Sequence, residues 1–173
     1  MGPSSDAPRT PDSVQATAPA RVDLAGGTLD IPPLYLFHAP VCTINVAVSL
    51  RAEVRARRRR DGRLSCRDLG TGARRAWPSY AALREDALSS DLAAGLLGEF
   101  QVPGGAEVEV KTSAPRGSGL GGSSCLGIAV GAALSRLAGV RLSRAALIER
   151  VKSVETRVIA GPPGYPDYYA AAV

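Results

Sequence analysis

Pro115-Arg116-Gly117-Ser118-Gly119-Leu120-Gly121-Gly122-Ser123-Ser124 is a glycine and serine loop that runs straight into an apolar helical pattern. Backbone with so few side chains can wrap closely around an anion, and the free N–H groups of a following helix point the same way. Before the loop, residues 106–113 alternate Val108 and Val110 with Glu107, Glu109 and Lys111, the period-two signature of a half-buried strand. After it, Cys125, Leu126, Ile128, Ala129, Val130, Ala132, Ala133, Leu134 and Leu137 predict a helix apolar nearly all round and ending near Gly139. Strand, glycine loop and buried helix in that order position a phosphate against a helix N-terminus. No lysine follows the glycines as in G-x-x-x-x-G-K-[ST], and Gly117, Gly119 and Gly122 do not keep the G-x-G-x-x-G interval. A flexible turn is the plainer alternative, but linker-like glycine runs seldom end in a Ser-Ser pair where a helix N-cap belongs.

The run from Pro115 to Cys125 resembles the ATP-phosphate loop of the GHMP kinases, whose pattern is roughly P-x-G-[ST]-G-L-G-[GS]-S-[SA]-A. Cys125 replaces the final alanine. Through this resemblance Pro115, Gly117, Ser118, Gly119, Leu120, Gly121, Gly122, Ser123 and Ser124 are the expected nucleotide-binding residues. Two further segments agree in the expected order. Arg21-Val22-Asp23-Leu24-Ala25-Gly26-Gly27-Thr28-Leu29-Asp30-Ile31-Pro32-Pro33 resembles the substrate-side motif of the sugar-kinase branch. The resemblance implies that Asp30 and Gly27 bind the acceptor and that Arg21 lies near the catalytic centre. Gly161-Pro162-Pro163-Gly164-Tyr165-Pro166-Asp167-Tyr168-Tyr169-Ala170-Ala171-Ala172 resembles G-x-x-x-G-x-Q-D-x-Y-A-A-A, with Pro166 in place of glutamine. Asp167 falls on the position of the catalytic base. Asp30 and Asp167 also sit beside prolines, where aspartate often serves only a turn.

A kinase must screen the triphosphate, hold Mg2+ and orient an acceptor hydroxyl in line with the γ-phosphate. Mg2+ takes oxygen ligands and retains waters, so one hydroxyl, one carboxylate and phosphate oxygens suffice. Ser124 and Glu155 are the candidates. Ser143 as N-cap and the stripe Leu147, Ile148, Val151, Val154 and Val158 predict a second helix, and Glu155 lies at the border of its buried face. An acid there needs a partner, either a metal, as the resemblance implies, or an arginine such as Arg150 or Arg157.

At 173 residues, with 45% hydrophobic and 21% charged residues, the chain can build one substantial core. Residues 1–18, rich in Pro, Ser, Ala, Asp and Thr, are expected to be a disordered tail, with the domain over residues 19–173. They lack the cationic start and apolar stretch of a secretory signal, and no apolar run is long enough to span a bilayer. Cys42, Cys66 and Cys125 are odd in number and widely spaced, which argues against a disulfide framework or a metal cluster and for reduced thiols in the cytoplasm. The net charge of +5 is carried by arginine, with 19 Arg against Lys111 and Lys152. Arg51, Arg55, Arg57, Arg58, Arg59, Arg60 and Arg63 form its densest part. Nucleic-acid binding is one account of this cluster, but interleaved aromatics are lacking, and charged ends of an edge-strand pair explain it better.

Strands near 21–25, 42–56, 63–68 and 106–113, and helices near 79–97, 123–138 and 144–159, make the class α+β. Trp77 is expected to be a packing residue. The resemblance implies a mixed sheet backed by helices, the two-layer, ribosomal-protein-like N-terminal domain of a GHMP kinase. It also implies a C-terminal domain that this chain lacks, missing or separately encoded, so weak or no kinase activity is expected of these residues alone. The expected function is Mg-assisted phosphoryl transfer from ATP to a sugar or sugar phosphate. The alternatives are a nucleotide-binding remnant without turnover and a basic nucleic-acid-binding module.

Overall fold

The computed structural model describes residues 10–27, 29, 33–38, 40–86, 91–159 and 163–172. Five strands, β1 (Ser13–Ala25), β2 (Ile44–Arg58), β3 (Leu64–Asp68), β4 (Arg74–Trp77) and β5 (Ala106–Thr112), form one sheet in the order β1-β2-β5-β3-β4. Strands β3 and β5 run parallel, and the other neighbours are antiparallel. The helices are α1 (Leu34–Phe37), α2 (Tyr80–Glu85), α3 (Leu92–Phe100), α4 (Gly122–Leu137), α5 (Arg144–Ile159) and α6 (Pro166–Ala171). The α+β class with a mixed sheet backed by helices is therefore the observed one.

Period-two patterning decides which face of the sheet is covered. Ala52, Val54 and Ala56 of β2 and Ala106, Val108 and Val110 of β5 are buried, and α4 packs over β1, β2 and β5. The opposite face is charged. Glu53 faces Lys111, Arg55 faces Glu109 and Arg57 faces Glu107 across the β2–β5 ladder. Opposite charges in register contribute about 0.2–1 kcal/mol per pair. Part of the arginine cluster is thus one half of a charge ladder. Its strand, β2, lies inside the sheet between β1 and β5 instead of at the expected edge.

Three other expectations change. Strand β1 begins at Ser13, so residues 13–18 are not part of a tail. Ala16, Ala18 and Ala20 alternate inward, and Ala18 and Ala20 are fully buried. Small residues gave too little hydrophobic signal for a strand, yet they are what a helix pressed close to the sheet requires. Pro19 is tolerated because β1 is an edge strand. The helix expected over 79–97 is two helices. Ser79 caps α2 by accepting from the Ala82 N–H, and Asp91 caps α3 by accepting from the Ala93 and Ala94 N–H groups. Residues 87–90 of that expected helix lie outside the described residues. Strand β4 has no counterpart among the expected strands. Its turn is signalled by Asp68, whose Oδ1 accepts from the N–H groups of Gly70 at 2.8 Å and Thr71 at 3.2 Å.

Trp77 is buried, as expected of a packing residue, and its indole N–H donates to Asp86 at 2.6 Å. Ser143 caps α5 as predicted, accepting from the Ala146 N–H at 3.2 Å. No helix of the described residues is long and apolar enough to cross a membrane.

Candidate active site

The glycine loop leaves β5 and enters α4 through three left-handed residues, Gly117 (φ 73), Gly119 (φ 70) and Gly121 (φ 68). A residue with a Cβ resists that conformation, so the glycines set the path of the loop. Gly121 is the N-cap of α4 and no side chain caps the helix. The N-cap therefore stands two residues before Ser123, and the Ser-Ser pair lies inside the helix instead of at its N-cap. Ser123 and Ser124 lie in the first turn of α4, where the N–H groups of residues 122–124 have no intrahelical acceptor. Pro115, Gly117, Ser118, Gly119 and Ser123 are exposed, Leu120, Gly121 and Gly122 are half-buried, and Ser124 is buried. The loop thus offers backbone donors and the positive end of a 16-residue helix dipole to an anion.

Arg21 joins this loop to two other segments. It comes from β1 and is only 8% exposed. Its backbone N–H donates to the Leu120 carbonyl at 3.0 Å, and its guanidinium donates to the Gly119 carbonyl. The same guanidinium donates from Nε to Asp167 Oδ1 at 2.9 Å and from a terminal nitrogen to that oxygen. It also lies 3.1 Å from Asp23 Oδ2. One planar fork thus fixes the loop, β1 and the first turn of α6 relative to one another. Asn45 of β2 adds a second tie, donating to the Pro166 carbonyl at 3.2 Å.

Gly27 sits against the same group. A Cβ there would lie 2.9 Å from Asp23 Oδ2. Asp23 Oδ1 is buried without a hydrogen-bond partner among the described residues. Asp30, the expected acceptor ligand, lies outside the described residues.

Glu155 is 4% exposed on α5, so the helix does turn it inward. The expected arginine partners are engaged elsewhere. Arg157 pairs with Glu99 at 3.2 Å, and Arg150 lies over the Phe100 ring. Glu155 Oε2 instead accepts from the Tyr168 hydroxyl at 2.7 Å. The Ser124 hydroxyl interacts with the same phenol. Burial, then the hydrogen bond and charge of Glu155, push the Tyr168 phenol well above its ordinary range. This donor set fits Mg2+. A buried carboxylate with no cation beside it among the described residues, next to a buried hydroxyl, offers hard oxygens and a charge to balance. Among the described residues no three His, Cys, Asp or Glu side chains cluster into a metal site, so phosphate oxygens and water would complete the shell.

Arg21, the loop and Asp167 are therefore brought into direct contact, while Ser124 and Glu155 meet one residue further along α6, at Tyr168. Asp23, Asn45 and Tyr168 are not among the site residues expected from the sequence. Asp23 and Tyr168 lay inside the quoted motifs, and the buried period of α6 (Tyr168, Ala171) is a signal that could have marked the latter.

Residues 84–173, just over half of the chain, match the family model described as GHMP kinases N terminal domain. The match takes in the glycine loop, Glu155 and Asp167 and leaves out the segment from Arg21 to Pro33. No curated protein matches the chain. Among solved structures, the fold is similar to that of a D-glycero-D-manno-heptose 1-phosphate kinase from Bacteriodes thetaiotaomicron, with TM-score 0.79 and 24% identity over 91% of this chain and 53% of that one. It is also similar to Lactococcus lactis galactokinase complexed with galactose (TM-score 0.74, 22% identity, 94% of this chain and 42% of that one). Methanococcus jannaschii mevalonate kinase shares the fold at TM-score 0.70 and 12% identity, over 92% of this chain and 50% of that one. The chain spans about half the length of these structures.

Proposed function

This chain belongs to the GHMP kinases, and from that premise we propose that it carries the ATP-gripping part of a kinase that phosphorylates a hydroxyl of a sugar or sugar phosphate in the cytoplasm. The observation that supports this most is the convergence on Arg21, which joins the glycine loop to Asp167, a residue 146 positions after it in the sequence. In this reading, the backbone of residues 117–122 and the first turn of α4 hold the phosphates. Arg21, fixed by Asp167 and Gly119, faces the charge that develops on the transferred group. Asp167 orients the acceptor hydroxyl and takes its proton, and Asp30 and Gly27 belong to the acceptor side. Ser124 and Glu155 would hold Mg2+, which would supply positive charge against the phosphates. The domain so proposed starts at β1. The sugar branch is supported by the segment from Arg21 to Pro33, and two of the structural neighbours, a heptose 1-phosphate kinase and a galactokinase, are consistent with it.

Calorimetric titration of the chain with ATP and Mg2+ should show saturable binding that Gly121→Val abolishes. Labelled γ-phosphate offered with a panel of hexoses, heptoses and their phosphates identifies the acceptor. Absence of Mg-dependent ATP binding by the folded chain would refute the proposal.

A further inference from the structure

Tyr168 has no part in the function just proposed, although it is the largest fully buried side chain among the described residues. Its hydroxyl is spent on one contact set: it donates to Glu155 Oε2 at 2.7 Å and meets the Ser124 hydroxyl. The preceding residue on the same six-residue helix, Asp167, turns the other way and takes the Arg21 guanidinium. Helix α6 therefore presents neighbouring side chains to two halves of one site. A carboxylate as buried as Glu155 must be satisfied, and Tyr168 is the donor that the structure provides for Oε2. Groups that orient a ligand in this way are as much a part of a metal site as the ligand itself.

We propose that Tyr168 is a positioning residue whose phenol holds the Glu155 carboxylate beside Ser124 and so sets how tightly this site takes a divalent cation. The inference rests on Ser124 and Glu155 being the metal ligands. Phenylalanine fills nearly the same volume without the hydroxyl, so packing and positioning roles can be separated. The readout is the ratio of ATP affinities with and without Mg2+, measured by calorimetry on the whole chain. In Tyr168→Phe this ratio is expected to fall at least about tenfold, the range seen when a group supporting a metal ligand is lost. A ratio within twofold of the wild type, with the ratio abolished in Glu155→Gln, overturns the role of Tyr168 and leaves the metal reading standing. An unchanged ratio in Glu155→Gln overturns the metal reading and this inference with it. Should Tyr168→Phe fail to fold, the wild-type chain still decides: adding Mg2+ to the ATP complex should shift the phenol Cζ resonance of Tyr168, and no shift overturns the proposal.

Discussion

Arg21 illustrates how much a single side chain decides here. Its five donors are arranged as a planar fork, and the structure uses that fork on Asp167, Gly119 and Asp23 together. Lysine would keep the charge and lose the geometry. Each hydrogen bond to a charged group contributes about 1.5–3 kcal/mol, so Arg21→Lys should lower both phosphoryl transfer and the melting temperature, checked by a steady-state assay and a thermal scan. If Asp167 accepts the hydroxyl proton, Asp167→Asn should slow transfer by about 10²–10⁴-fold while leaving ATP binding within a few-fold, as single-turnover kinetics would show. The thiols give a test that is independent of ATP. Burial, followed by the charges of Asp91 and Asp68, pushes the Cys66 thiol up to about 12, and burial also raises Cys125. Cys42 is exposed. A thiol reagent should therefore modify Cys42 in the native chain and reach Cys66 and Cys125 only on unfolding. Because the folded value for Cys66 stands above the ordinary 9.0, its contribution to stability is complete below about pH 9 and is lost as the pH rises toward 12. The melting temperature should fall over that window.

Among the elements, α4 was the most legible, since its apolar residues and the glycines before it leave few alternatives. What its sequence does not explain is the pair Gly127 and Gly131, both of which lower helix propensity. Their reason is the neighbouring helix: a Cβ on Gly127 would lie 2.6 Å from Val151 Cγ1, and one on Gly131 would lie 2.8 Å from Val151 Cγ2. Gly127→Ala should gain about 1 kcal/mol of propensity and lose about 1–3 kcal/mol to overpacking, a net destabilisation that a denaturant titration would reveal. Strand β1 and the break between α2 and α3 were less legible for a related reason. Alanines at residues 16, 18 and 20 have little intrinsic preference for a strand, and their place in the sheet is dictated by β2 on one side and α4 on another. The cap at Asp91 was visible in the chain, but the leucine spacing on either side of it mimicked a continuous helix.

Across the whole molecule, charge is arranged by face. The open side of the sheet sets Arg55 and Arg57 against Glu109 and Glu107, and at the rim Arg59 pairs with Asp61 at 2.7 Å. Half-neutralised in this way, the basic segment should hold nucleic acid weakly, and filter binding at about 0.15 M salt, where exposed charges are screened beyond about 8 Å, is expected to show little retention. The positive turns at Gly117, Gly119 and Gly121, the alternation of β5 and the stripe of α5 follow from residues within a few positions of one another. Steric freedom and hydrophobic period act over that range, so these features could be read along the chain. Which group answers a buried charge is a different matter. Glu155 had arginines at neighbouring helical positions and took a tyrosine from α6, and Arg21 found Asp167 across the length of the domain. Those choices depend on how β1, α4, α5 and α6 pack. A buried charge must be met by whatever donor the packing brings within about 3 Å, and chain separation says nothing about which donor that will be.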